Sequence, residues 1–154
     1  MEERIMKTIM VMIVSMLLMG TAFAGQFSDK SVKGCYGFSF HGTTTHGSVA
    51  APTVAVGRLC NDGKGMVTEL QRTLHIPGAI LSQKATGVYT VEPSGWGWAT
   101  FDVTMNGQPF SKETFHFVVT DNGKILQFIS GAVMSPDGSL TESEAIISGT
   151  AIKQ

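Results

Sequence analysis

The chain has 154 residues and a formal net charge of −1, from 11 Lys and Arg against 12 Asp and Glu. No basic stripe runs through it, which makes nucleic acid a poor candidate partner. Once a leader of 24 residues is set aside, the remaining 25–154 is the size of one domain, long enough for a real core.

The leader comes first in chain order. Lys7 precedes the apolar run "TIMVMIVSMLLMG", and "TAFA" follows it. Ala22 and Ala24 match the small-residue pattern of a signal-peptidase site, so residues 1–24 are predicted to be a signal peptide cleaved after Ala24. A start at Met6-Lys7 would leave a more usual positive n-region, free of Glu2 and Glu3. The run is short for a transmembrane anchor, and no stop-transfer charges follow it. No cysteine stands directly after the cut, so a lipoprotein is not expected. Removing Glu2, Glu3, Arg4 and Lys7 leaves the net charge at −1. No second long apolar run follows, so stable membrane insertion of the mature chain is not expected. The expected location is the periplasm or the exterior.

After the leader, alternation with period two is everywhere, and few segments carry the i, i+3, i+4 period of an amphipathic helix. About eight strands are predicted, at 36–41, 54–60, 66–74, 86–92, 97–105, 112–120, 124–131 and 145–152. The first lies in "SVKGCYGFSFHG", which carries Cys35, and the second ends at Cys60. Two cysteines in an exported chain point to one disulfide. If they bond across an antiparallel pair, Tyr36 faces Leu59, Phe38 faces Gly57 and Phe40 faces Ala55. Large residues then meet small ones on one face, with the cysteines on the other, so disulfide and packing ask for the same register. A bridge closing this loop of about 25 residues stabilises by roughly 3 kcal/mol in the chain-entropy model.

"NDGKG" leads into the third strand, and its length leaves two registers open. One turns Met66, Thr68, Leu70 and Arg72 inward. The other turns Val67, Glu69, Gln71 and Thr73 inward, placing a carboxylate in the interior. In "YTVEPSGWGWATF", Pro93-Ser94-Gly95 suits a three-residue turn with Gly95 left-handed. That pairs Val91 with Gly97, Tyr89 with Ala99 and Gly87 with Phe101. The opposite face carries Trp96, Trp98, Thr100 and Asp102. In "VVTDNGKILQF", Asn122-Gly123 suits a type I′ turn, pairing Val119 with Leu126 and Phe117 with Phe128. The longer gaps, 42–53, 75–85 and 132–144, are read as loops at one mouth.

Hairpin-linked antiparallel strands in this number suggest an all-β chain closed as an up-and-down β-barrel, which removes exposed edges. The succession "GCYGFSF … AVGRLCNDGKGMVT … TGVYTVEPSGWGWATF … FHFVVTDNGKILQFI … SGTAIK" resembles exported bacterial barrel proteins similar to allene oxide cyclase, within the lipocalin-like (calycin) group. The resemblance covers most of 25–154 and rests on the order and spacing of glycine-rich hairpin signals. It implies an eight-stranded barrel around a central apolar cavity. It carries no catalytic motif over, residue by residue.

The inward set is Tyr36, Phe38, Phe40, Tyr89, Phe101, Phe115, Phe117 and Phe128. These residues form either an apolar pocket for a small hydrophobic ligand, oriented by the two tyrosine hydroxyls, or a filled core. Glu69 is a weak catalytic candidate, dependent on the second register of its strand. His41, His46, His75 and His116 show no metal-ligand spacing and read as scattered surface histidines, so no metal is expected. "GRLCNDGKG" lacks the spacing and the helix of a phosphate loop, no GxSxG is present, and no cofactor is expected. Trp96 and Trp98 fall on the outer wall, where they face either a homo-oligomeric partner or a covering segment such as 25–33. Three functions follow: an exported barrel that binds a small apolar or amphipathic molecule without catalysis; a cyclase or isomerase acting on a reactive apolar substrate; or a solid-core structural or interaction domain. An open interior separates the third from the others, and an ionisable group within it separates the second from the first.

Overall fold

Period-two alternation is realised as eight strands that pair in sequence order and close on themselves. They are β1 Gly34–His46, β2 Val49–Asn61, β3 Met66–Ile76, β4 Ala79–Val91, β5 Trp96–Met105, β6 Gln108–Thr120, β7 Ile125–Met134 and β8 Ser143–Lys153, and β8 returns to β1. Every pairing is antiparallel. The computed structural model describes residues 26–46, 48–141 and 143–154, so the predicted signal peptide lies outside the described residues.

The registers follow the pairing of large with small residues. Cys35 lies opposite Cys60 and is bonded to it, with Tyr36 opposite Leu59, Phe38 opposite Gly57 and Phe40 opposite Ala55. Tyr89 meets Ala99 and Gly87 meets Phe101. Phe117 meets Gly97 on one side and Phe128 on the other. A methyl group at Gly97 would collide with the Phe117 ring, and one at Gly149 with Phe128. Close packing therefore selects glycine at these inner positions.

Two ends result. The turns 62–65, 92–95 and 121–124 and the C-terminus share one end with a short 3₁₀ turn, Asp29–Val32, that closes it. Val32 is fully buried there, and its carbonyl accepts from Asn61 Nδ2 at 3.2 Å. Asp29 Oδ1 accepts from the Val91 amide at 2.8 Å. Asn122 and Gly123, at φ 53° and 85°, form the expected left-handed pair of the β6–β7 turn. The opposite end is the mouth.

The gaps differ from expectation. Residues 42–53 and 75–85 are mostly strand, because β1–β2 and β3–β4 run on to short turns beyond Thr45 and at Pro77-Gly78. Of the three, 132–144 alone keeps a loop, between β7 and β8. These two strands pair over Ile125–Ile129 and Ser148–Ile152 and then separate toward the mouth. The Ser130 hydroxyl bridges the parting, accepting from the Ile147 amide at 3.1 Å and donating to the Ala145 carbonyl.

β3 adopts neither of its two expected registers throughout. Irregularities between Cys60 and Asn61 and between Val67 and Leu70 switch its phase. Val67, Leu70 and Arg72 are buried inside, whereas Met66, Thr68, Gln71 and Thr73 are exposed.

Candidate functional site

The interior divides into two compartments along the barrel axis. The deeper one is a chamber of about 60 Å³ among Phe38, Phe40, Phe101, Phe115, Phe117 and Phe128, with Tyr89 and Asn61 toward the closed end. Phe128 meets Phe38, Phe40 and Phe115 edge to face, with centroids 5.8–6.5 Å apart. Rings fill most of this half. The mouth half is open, with a cavity of about 500 Å³ walled by Val49, Ala51, Leu74, Leu81, Phe110, Val133 and Ile147.

A buried polar cluster separates the two. Arg72 lines both compartments, and Gln83, Ser111 and Glu113 line the mouth cavity. All four are less than one-tenth exposed. Arg72 grips Glu113 with two parallel bonds, Nη1 to Oε2 at 2.8 Å and Nη2 to Oε1 at 2.7 Å. Its Nε donates to Gln83 Oε1 at 2.7 Å, and Ser111 Oγ donates to Glu113 Oε1 at 3.0 Å. The guanidinium also sits 5.8 Å from the centre of the Phe40 ring. Two buried side-chain atoms among the described residues lack a partner: Nε2 of Gln83, a residue of the mouth cavity, and Oδ1 of Asn61, a residue of the deep chamber.

Glu69, the carboxylate proposed for the interior, is instead on the outer wall, 3.7 Å from Arg58 and 42% exposed. The phase switch in β3 turns it out, and the interior carboxylate is Glu113. The tyrosine hydroxyls are also placed differently from expectation. Tyr36 donates to the Gly123 carbonyl and Tyr89 to the Asp29 carbonyl, so both fasten the closed end. Burial, with Tyr89 nearby, pushes the Tyr36 phenol up to about 12, and burial raises Tyr89 as well. Tyr36 does not reach the deep chamber, whereas Tyr89 and the six phenylalanines of the inward set line it.

Period two already held the signal for the cluster. Counting back by twos from Phe117 and Phe115 reaches Glu113 and Ser111, and from Tyr89, Gly87 and Ala85 reaches Gln83. Gln83 falls in the 75–85 stretch expected to be loop, and Glu113 at the start of its predicted strand, so alternation within the predicted strands does not single them out.

On the outer wall, Trp96 is 57% exposed and Trp98 44%. Phe27 and the 3₁₀ turn pack against the closed end, and both tryptophans stay exposed. Two neighbouring rows cross five strands, Trp98–His116–Ile129–Ser148–His41 and Trp96–Val118–Gln127–Thr150–Ser39, without an Asp, Glu, Lys or Arg. Arg58, Glu69, Lys84, Asp102 and Lys112 lie beyond these rows. His41, His75 and His116 are exposed and separate, and no group of three metal-ligating side chains occurs among the described residues.

Fold and site together define an eight-stranded, antiparallel, up-and-down barrel with one closed end, one open mouth and a disulfide between its first two strands. No protein-family model matches the chain, and no curated protein matches it in sequence.

Proposed function

We propose that this chain is an exported, calycin-like barrel that binds a small amphipathic molecule in its mouth half without transforming it. The observation that carries this reading is the cavity of about 500 Å³, with walls of aliphatic and aromatic side chains among threonines and serines and a charged, hydrogen-bonded floor. The Cys35–Cys60 bond fits an oxidising compartment. A solid-core domain would need no such opening. For the cyclase or isomerase alternative resembling allene oxide cyclase, the inner carboxylate would have to move a proton. Glu113 is gripped on both oxygens by Arg72 and takes a further bond from Ser111, an arrangement that supports anchoring over proton transfer. Native mass spectrometry of protein purified from its host is expected to show a retained small molecule, and titration with the neutral dye Nile red a saturable fluorescence rise. A bare mass with no dye binding would defeat the reading.

The uncharged wall bearing Trp96 and Trp98 is read as the contact between two copies of the chain. A two-fold interface presents a patch to itself, and rows without Asp, Glu, Lys or Arg meet their copies without repulsion between those charges.

A further inference from the structure

We infer that the end of the guest seated on the cavity floor is an uncharged hydrogen-bond acceptor, such as a ketone, ester or amide carbonyl, received by Gln83 and Arg72. This rests on the lumen-binding reading and specifies its chemistry. A guanidinium only donates, so the Gln83 oxygen must face Arg72 Nε, as it does at 2.7 Å. That fixes the amide orientation and leaves the Nε2 hydrogens pointing elsewhere. Gln83 is 1% exposed, and its Nε2 has no partner. A buried donor left unpaired is costly, and a small turn of the amide toward the cavity would bring it to an oxygen of the guest.

Arg72 adds further donors. Of its five N–H groups, Nε serves Gln83, and Nη1 and Nη2 each give a bond to Glu113. One N–H on each terminal nitrogen remains. The Glu113 oxygens already accept from Arg72 and Ser111. The floor therefore has donors to offer and few acceptors.

Charge decides which acceptor fits. Arg72 and Glu113 cancel, and the other charged side chain on this cavity, Glu144, is negative. A carboxylate guest would find donors but no free cation, and it would lose its water beside two carboxylates. A carbonyl takes the same hydrogen bonds without that penalty, while its hydrocarbon body lies along the apolar walls.

Titration calorimetry of the purified protein at pH 7.5 with octan-2-one and with octanoate compares two heads on bodies of similar length. The ketone is expected to bind about tenfold tighter or more, by avoiding burial of an unpaired charge. Equal or tighter octanoate binding would overturn the inference and leave lumen binding standing. Binding of neither would overturn both. Gln83→Glu keeps an oxygen for Arg72 and removes the free N–H groups, so ketone affinity should fall about tenfold; an unchanged affinity would remove Gln83 from the site. Glu113→Gln leaves the Arg72 charge uncompensated and should turn the preference toward octanoate. A preference that stays with the ketone in that variant would overturn the charge argument.

Discussion

A guanidinium among phenylalanine rings is tolerable only when its charge and its donors are met. Arg72 meets both conditions through Glu113 and Gln83. Removing one partner is then worse than removing both. Arg72→Met leaves Glu113 buried without its cation and is expected to cost about 3–5 kcal/mol. Adding Glu113→Leu should recover most of that loss. Urea unfolding of the single and double variants measures it, and a double variant as unstable as the sum of its singles would reject the pairing as the cause. Tyr36 supplies a second test at this scale. Its folded phenol titrates near 12 rather than the ordinary 10.0, because burial disfavours the phenolate. Folding thus favours the neutral form, so this contribution is intact below about pH 10 and drains away toward pH 12. The urea midpoint should decline across that window, and Tyr36→Phe should flatten the decline. Tyr89, shifted the same way, keeps some slope in the variant. An equal slope in both proteins would count against Tyr36 as its source.

At the scale of elements, side-chain volume speaks most clearly. β4, β5 and β6 lock together because Gly97 leaves room for the Phe117 ring between strands. Gly97→Ala would push a methyl into that ring and the Thr90 carbonyl, costing about 1–3 kcal/mol through overpacking. An unchanged thermal midpoint in a differential scan would refute the packing account. The same volume logic made the β1–β2 and β4–β5 registers legible from sequence, where large faces small, while the Asn122-Gly123 turn fixed β6–β7, where Phe117 meets Phe128. β3 was not legible. Period-two reasoning assumes an unbroken phase, whereas the strand slips between Val67 and Leu70 and changes face in passing. That slip put Arg72 inside and Glu69 outside. The stretches 42–53 and 75–85 depart from expectation for another reason. "GTTTHGSVAAPT" and "HIPGAILSQKA" are rich in small, polar and turn-forming residues, yet closure of the barrel pairs their backbones. The pairing is set by the neighbouring strands, beyond the reach of local propensity.

For the molecule as a whole, the outer wall is as divided as the lumen. Charges collect on one side, as in the Arg58–Glu69 and Lys112–Asp102 pairs, while two rows from Trp98 and Trp96 around to β1 are free of them. An association through those rows would bury aromatic and aliphatic surface, with ion pairs left outside the contact. Its strength should depend on tryptophan area and hardly at all on salt. Sedimentation velocity at micromolar concentration is expected to show a dimer whose dissociation constant changes less than about twofold between low and high salt. Trp98→Ala removes a large aromatic anchor and should weaken it about thirtyfold or more, in keeping with a loss of about 2 kcal/mol at an interface hot spot. Trp98 is 44% exposed, so the variant should keep a thermal midpoint near that of the wild type, and the dimer can be lost without the fold. A wild-type protein that sediments as a monomer at every concentration would remove the second copy as the partner. A dimer that dissolves in salt but survives Trp98→Ala would move the contact to the charged side of the barrel.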